Sequence, residues 1–124
     1  MLKIEFLYYN KTICKRCSST DISVKLTLRE LKKVIKSNKL KISFKERKLP
    51  ESKTYLSPSI LINGEDVEKL VNKSSKQKSN VCSDCCKLIG HSVNCRTFNY
   101  KGKSYEYIPK EMILEAIKIS LKKQ

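Results

Sequence analysis

Leu7-Tyr8-Tyr9-Asn10-Lys11-Thr12-Ile13-Cys14-Lys15-Arg16-Cys17 decides how the rest of this chain is read. A strand-like opening, Met1–Tyr9, runs into the short polar turn Asn10-Lys11-Thr12. The turn delivers two cysteines in C-x-x-C spacing, and a long helical pattern follows. A helix N-terminus offers unpaired N–H groups and a partial positive charge, and both favour a thiolate on Cys14. Cys17, one turn on, is spaced to close a disulfide with it. Lys15 and Arg16 add two cations between them, which predicts a lowered Cys14 pKa and a relatively oxidising pair. The same spacing is also half of a zinc site, or an inert surface pair, so the rest of the chain has to choose.

Outward from this turn, Leu2, Ile4, Phe6 and Tyr8 alternate with Lys3 and Glu5, as in a half-buried strand. Helical pattern covers Cys14–Asn38. Ser18-Ser19-Thr20-Asp21 are cap formers, so the main helix has a second candidate start near Asp21. Ile22, Leu26, Leu28, Leu31, Val34 and Ile35 make the expected core stripe. Leu40–Lys48 alternates again, and strand, helix, strand predicts a right-handed crossover with parallel pairing. Leu49–Pro58 is a connection. Ile60–Ile62 reads as a short strand, Asn63-Gly64 as a hairpin turn, and Glu65–Val71 as a return strand or a short helix. Lys73–Asn80 is polar and low in complexity, which predicts a mobile loop. Cys95–Tyr107 alternates on both sides of Lys101-Gly102, as a hairpin does. Pro109 suits the first helical position. Lys110–Lys123 then closes the chain as a helix burying Met112, Ile113, Ala116, Ile117 and Leu121.

The 124 residues are read as one domain, 1–124, with a cysteine-rich insertion at 73–96. No secretory signal or membrane span is legible, so no membrane partner is expected and the chain is assigned to the cytoplasm. There, six cysteines read as metal or redox sites before they read as a disulfide framework. The net charge is +15, carried by 23 Lys against 4 Arg spread along the whole chain. Nucleic-acid readers concentrate Arg and Lys on one surface, so this distribution argues against a nucleic-acid partner.

Cys82, Cys85, Cys86 and Cys95 form a second cluster, C-x2-C-C-x8-C, in an otherwise polar segment. Four thiolates at this spacing can surround one Zn²⁺, and the metal would order a segment that has no core of its own. A disulfide, or a relay that folds over Cys14 and passes electrons, is the second possibility; free buried thiols are the third. Adjacent Cys85 and Cys86 do not easily face one partner, so one of them is spare. His91 reads as a polar loop residue. Tyr8 and Tyr9 are expected beside the active turn, and Phe98, Tyr100, Tyr105 and Tyr107 as cross-strand packing.

The order of elements, with Ser57-Pro58-Ser59-Ile60-Leu61-Ile62-Asn63-Gly64-Glu65, resembles thioredoxins and glutaredoxins around their cis-proline. Cys95–Lys103 and Ile108–Ile113 resemble a small prokaryotic family of thioredoxin-like proteins with a cysteine-rich insertion. The resemblance implies an α/β (α+β) thioredoxin-like fold: a central mixed sheet with flanking helices, and an extra hairpin before the C-terminal helix. It implies Cys14 as attacking thiol, Cys17 as resolving thiol and Pro58 as a cis-proline packed on them. The Ser57 backbone would be left open to pair with an extended substrate, with Lys15 and Arg16 beside it. The implied activity is thiol–disulfide exchange through a mixed disulfide, on a disulfide-containing protein or small thiol substrate and without a cofactor. The alternative is a non-enzymatic, thiol-rich metal-binding protein on the same frame, with Zn²⁺ at the second cluster. The chain departs from the pattern in having Ile13 before Cys14 and no proline after it. Its link to Pro58 is too short for a full helix, and residues 73–96 have no counterpart.

Overall fold

Leu2, Ile4 and Phe6 are fully buried along one strand, and the fold is laid down around them. The computed structural model describes residues 1–38, 41–74 and 76–123. Leu40, expected to open the second strand, and Ser75 of the expected loop lie outside the described residues. Strand β1 (Leu2–Tyr8) leads into helix α1 (Lys15–Asn38), then β2 (Ile42–Lys48). A 3₁₀ segment (Glu51–Leu56) reaches the cis Ser57–Pro58 bond. Next come β3 (Ser59–Ile62), the two-residue β4 (Glu65–Asp66) and α2 (Val67–Val71). The chain continues as β5 (Lys78–Val81), α3 (Ser83–Ile89), β6 (Asn94–Tyr100), β7 (Lys103–Tyr105) and α4 (Lys110–Lys122).

The first sheet is mixed, in the order β2-β1-β3-β4. β1 runs parallel to β2, from Leu2↔Ile42 to Tyr8↔Lys48, and antiparallel to β3, with Ile4 opposite Ile62. This is the thioredoxin-like arrangement, and the parallel crossover expected of α1 is present. Asn63 and Gly64 both have positive φ, 51° and 85°, as a tight primed hairpin turn requires. The Asn63 side chain accepts from the Lys3 amide at 2.8 Å and donates to Ser120 Oγ at 3.0 Å, tying the turn to α4. The core joins the sheet to Val24 and Leu31 of α1, Val67 and Leu70 of α2, and Met112, Ile113, Ala116 and Ile117 of α4. Phe98, Tyr100 and Ile108 complete it, so those aromatics pack rather than project. Among the described residues, no helix is long and apolar enough to cross a membrane.

Two expectations are corrected. Ile22 and Leu26 are not core: they are 61% and 41% exposed. Among the described side chains, the buried stripe of α1 is Cys17, Thr20, Val24, Thr27 and Leu31; Val34 and Ile35 lie outside them. The helix starts at Lys15 and runs straight through Ser18–Asp21, which fixes a phase in which Cys17 faces inward. The threonines on that face are satisfied: Thr27 donates to the Ser23 carbonyl at 2.8 Å, and Thr20 accepts from the Ile108 amide at 3.2 Å. Lys78–Asn80, expected in a mobile loop, instead begin β5 of a second sheet, ordered β5-β6-β7. α3 bridges β5 and β6 and ends at Gly90, whose φ of 93° allows the left-handed stop.

Arg96 of β6 ties the second sheet to the first. It is almost fully buried and forks onto Asp66 at 2.7 and 3.1 Å, with Glu68 at 3.4 Å and Ser59 Oγ at 2.8 Å. Glu68 also accepts from the Asn99 amide at 3.0 Å. Removing one side of such a buried pair strands the other charge, at a cost of about 3–5 kcal/mol.

Candidate functional site

Asn10 builds the turn that presents the first thiol. Its side-chain oxygen accepts from the amides of Thr12 and Ile13, at 2.9 and 2.8 Å. Cys14 follows directly, and its carbonyl accepts the helical bond from Ser18 at 3.0 Å. Cys82 stands just before α3, and Cys85 lies one turn on, so the two share a face. Cys95 enters from β6.

These elements bring four sulfurs together. Cys14 Sγ is 3.8 Å from Cys82 Sγ, and Cys95 Sγ is 3.4 Å from Cys85 Sγ. All four lie within 4.8 Å of one another. Their residues are 0–2% exposed. Tyr8, Tyr9, Ile89 and Val93 wall the group, as expected for the tyrosines. Cys86 is not part of it: its sulfur faces the Val93 backbone, accepting from the amide at 3.3 Å. His91 is exposed, with Nε2 3.5 Å from Glu51. The second cluster therefore takes its fourth sulfur from Cys14, not from Cys86.

Cys17 is the neighbour of this tetrad rather than a member of it. It is fully buried, lies in one buried cluster with Cys14, and is 3.0 Å from Ser57 Oγ. Ser57 Oγ also accepts from the Tyr9 amide at 3.0 Å. Pro58 is buried beside it. The Ser57 backbone is not open. Its amide donates to the Thr54 carbonyl at 2.9 Å, and its carbonyl accepts from the Arg96 amide at 2.8 Å. β6 thus occupies the position expected for an extended substrate.

Cys14, Cys17, Cys85 and Cys95 are held protonated. The Cys17 hydrogen bond acts to lower the Cys14 pKa, but pairing with Cys95, burial and the nearby Cys82 outweigh it, and Cys14 is pushed up to about 11. Cys17 is pushed up by its hydrogen bond to Cys14 and by burial. Burial raises Cys85; Cys95, despite its bond with Cys14, is raised by burial and by Cys85. This reverses the lowered Cys14 pKa expected from Lys15 and Arg16. Asp84 Oδ2 accepts from the Lys15 amide at 3.0 Å, setting a carboxylate on the helix N-terminus. Lys15 is exposed.

Arg16 is turned away from the thiols and acts as a clamp. It is buried, and its guanidinium donates to the carbonyls of Cys95, Arg96 and Val81 at 3.0, 3.2 and 3.1 Å, with Glu106 at 3.2 Å from Nε. It pins both strands that carry the insertion. Sequence reasoning missed this role, although a signal was present: arginine is scarce here, and only its planar fork spans several acceptors. Arg16→Ala is expected to destabilise the protein by about 3 kcal/mol in urea unfolding, by orphaning these carbonyls. Arg16→Lys should recover only part of the loss, because a single ammonium does not reach all three. Equal stability of Arg16→Ala and wild type would disprove the clamp.

The family described as a domain of unknown function (DUF2703) matches residues 2–117. No curated protein and no solved structure matches the chain.

Proposed function

The chain belongs to the DUF2703 family, and on the geometry of its own thiols we propose that it is a metal–thiolate protein. Cys14, Cys82, Cys85 and Cys95 hold one soft divalent ion, Zn²⁺ foremost, on a frame of the thioredoxin and glutaredoxin superfamily. One observation carries this: four buried sulfurs gathered within 4.8 Å. Tetrahedral coordination at a Zn–S distance of about 2.3 Å puts sulfurs about 3.8 Å apart, and Cys14 and Cys82 stand at 3.8 Å. The spread suits a single ion rather than a multi-iron cluster, which would have to push the sulfurs apart.

Chemistry supports the same conclusion. Buried thiols crowded together resist ionising, as the raised Cys14, Cys85 and Cys95 show. A bound cation inverts that and takes them as thiolates. An all-sulfur donor set selects soft ions over Mg²⁺ or Ca²⁺. Four protein ligands leave no open position for substrate, which is the pattern of a structural or storage site rather than a catalytic one. The six thiols are unbridged, in keeping with a reducing compartment such as the cytoplasm.

A second function, thiol–disulfide exchange with Cys14 attacking and Cys17 resolving, is favoured by the burial of both cysteines in one cluster. Its partner would be a disulfide-containing protein or a small thiol. Against it stand the protonated thiols and the engaged Ser57 carbonyl. Protein purified without chelator is expected to carry about one tightly held metal per chain by elemental analysis. Metal-free protein that readily forms a Cys14–Cys17 disulfide and reduces insulin would overturn the metal proposal in favour of the exchange activity.

A further inference from the structure

Among the described residues, Cys17 is the thiol buried in one cluster with the tetrad without belonging to it. Cys86 is turned to the Val93 backbone. Four thiolates complete a Zn²⁺ site, so in the loaded protein Cys17 stays a thiol beside a thiolate that is already a ligand. Cys14 is also the tetrad member set in the exposed turn, between the exposed Ile13 and Lys15. Local opening of that turn, which breaks the Lys15 amide bond to Asp84 of α3, bares Cys14.

We propose that the protein releases its metal when a small-molecule disulfide such as glutathione disulfide oxidises Cys14 with Cys17, and that Cys17 is the residue that makes release possible. This rests on the metal proposal above. The metal-bound Cys14 thiolate attacks one sulfur of the disulfide; a mixed disulfide forms and one small thiolate leaves. The Cys17 sulfur then attacks the Cys14 sulfur, closing Cys14–Cys17 and expelling the second small thiol with the proton that Cys17 gives up. The first leaving thiolate takes its proton from water. Two electrons pass from Cys14 and Cys17 to the oxidant, one disulfide bond breaks and one forms. The Cys14 sulfur is now neutral and a poor donor. Cys82, Cys85 and Cys95 alone hold the ion, with one position open to water or to an acceptor ligand.

Without Cys17 the mixed disulfide faces only Cys82, Cys85 and Cys95, whose sulfurs the ion holds. It reverts when the small thiol attacks it, and the metal returns. The functional consequence is a metal donor that reads the thiol–disulfide balance, rather than a permanently closed site.

Zinc-loaded wild-type, Cys17→Ser, Cys17→Ala and Cys86→Ser proteins are treated anaerobically with glutathione disulfide, and freed Zn²⁺ is followed with a chromophoric chelator. All four should bind one Zn²⁺ before treatment. Wild type and Cys86→Ser should release it at the same rate, with Cys14–Cys17 found by peptide mass mapping and binding restored by dithiothreitol. Both Cys17 variants should release it more slowly, by about tenfold or more. Release from the Cys17 variants at the wild-type rate overturns the proposal. So does loaded wild type that keeps its metal, or a new disulfide mapped within Cys82, Cys85 and Cys95. Wild type that binds no Zn²⁺ at the outset is a different failure: it removes the metal site itself, and the release with it.

Discussion

Replacing Cys14, Cys82, Cys85 or Cys95 by serine, one at a time, is expected to weaken Zn²⁺ binding by a hundredfold to a thousandfold. Structural Zn²⁺ sites bind with about 10–16 kcal/mol; shared among four ligands this is roughly 3 kcal/mol each, or about two orders of magnitude per thiolate lost. Cys86→Ser and His91→Ala should bind as wild type does, because neither side chain reaches the tetrad. Competition against a chelator of known affinity measures all six variants. The pattern separates this site from the other arrangement the sequence allowed. If Cys86→Ser weakened binding and Cys14→Ser did not, the four insertion cysteines would hold the ion by themselves, and Cys14 would be free for exchange chemistry.

Acidification should strip the metal steeply. Each of the four thiols must lose a proton to bind, and Cys14, Cys85 and Cys95 hold theirs above the ordinary thiol range. Below that range, affinity should fall by up to about four powers of ten for each pH unit of acidification, one for each proton taken back. The metal-free protein should respond in the opposite sense. Its Cys14 pKa is raised by folding, to about 11, so the folded form keeps a proton that the unfolded chain gives up sooner. That stabilisation is complete below the ordinary thiol range and is lost as pH rises toward about 11. Urea unfolding from neutral to alkaline pH, with and without Zn²⁺, tests both signs. A metal-free protein that gained stability on the alkaline side would contradict the buried, protonated Cys14.

The frame was legible because it rests on short-range pattern. Leu2, Ile4 and Phe6 alternate, Asn63-Gly64 demands positive φ, and the α4 face from Met112 to Ile117 keeps helical period. The phase of α1 was not. Ile22 and Leu26 gave the more apolar stripe, but the sheet takes the face of Cys17, Thr20 and Thr27, whose hydroxyls find partners that no local pattern reveals. At the site, residue types were readable and membership was not. Spacing groups Cys82, Cys85, Cys86 and Cys95, whereas the folded chain takes its fourth sulfur from 68 residues away. That contact depends on the insertion docking, and the docking depends on Arg16, Asp84 and Arg96. Long-range pairs of this kind leave no periodic trace. The adjacency of Cys85 and Cys86 did leave one, since neighbouring side chains on a helix point in different directions.

The bond from the Arg96 amide to the Ser57 carbonyl fills the acceptor that a free extended peptide would need. β6 is tethered in the same chain as this carbonyl, so any free strand seeking the same acceptor competes with a group whose effective concentration is on the order of millimolar or higher. Extended peptides that bind more weakly than that are shut out without any repulsive group. A partner gains access only by binding more tightly than the chain binds itself, or by first unseating the insertion.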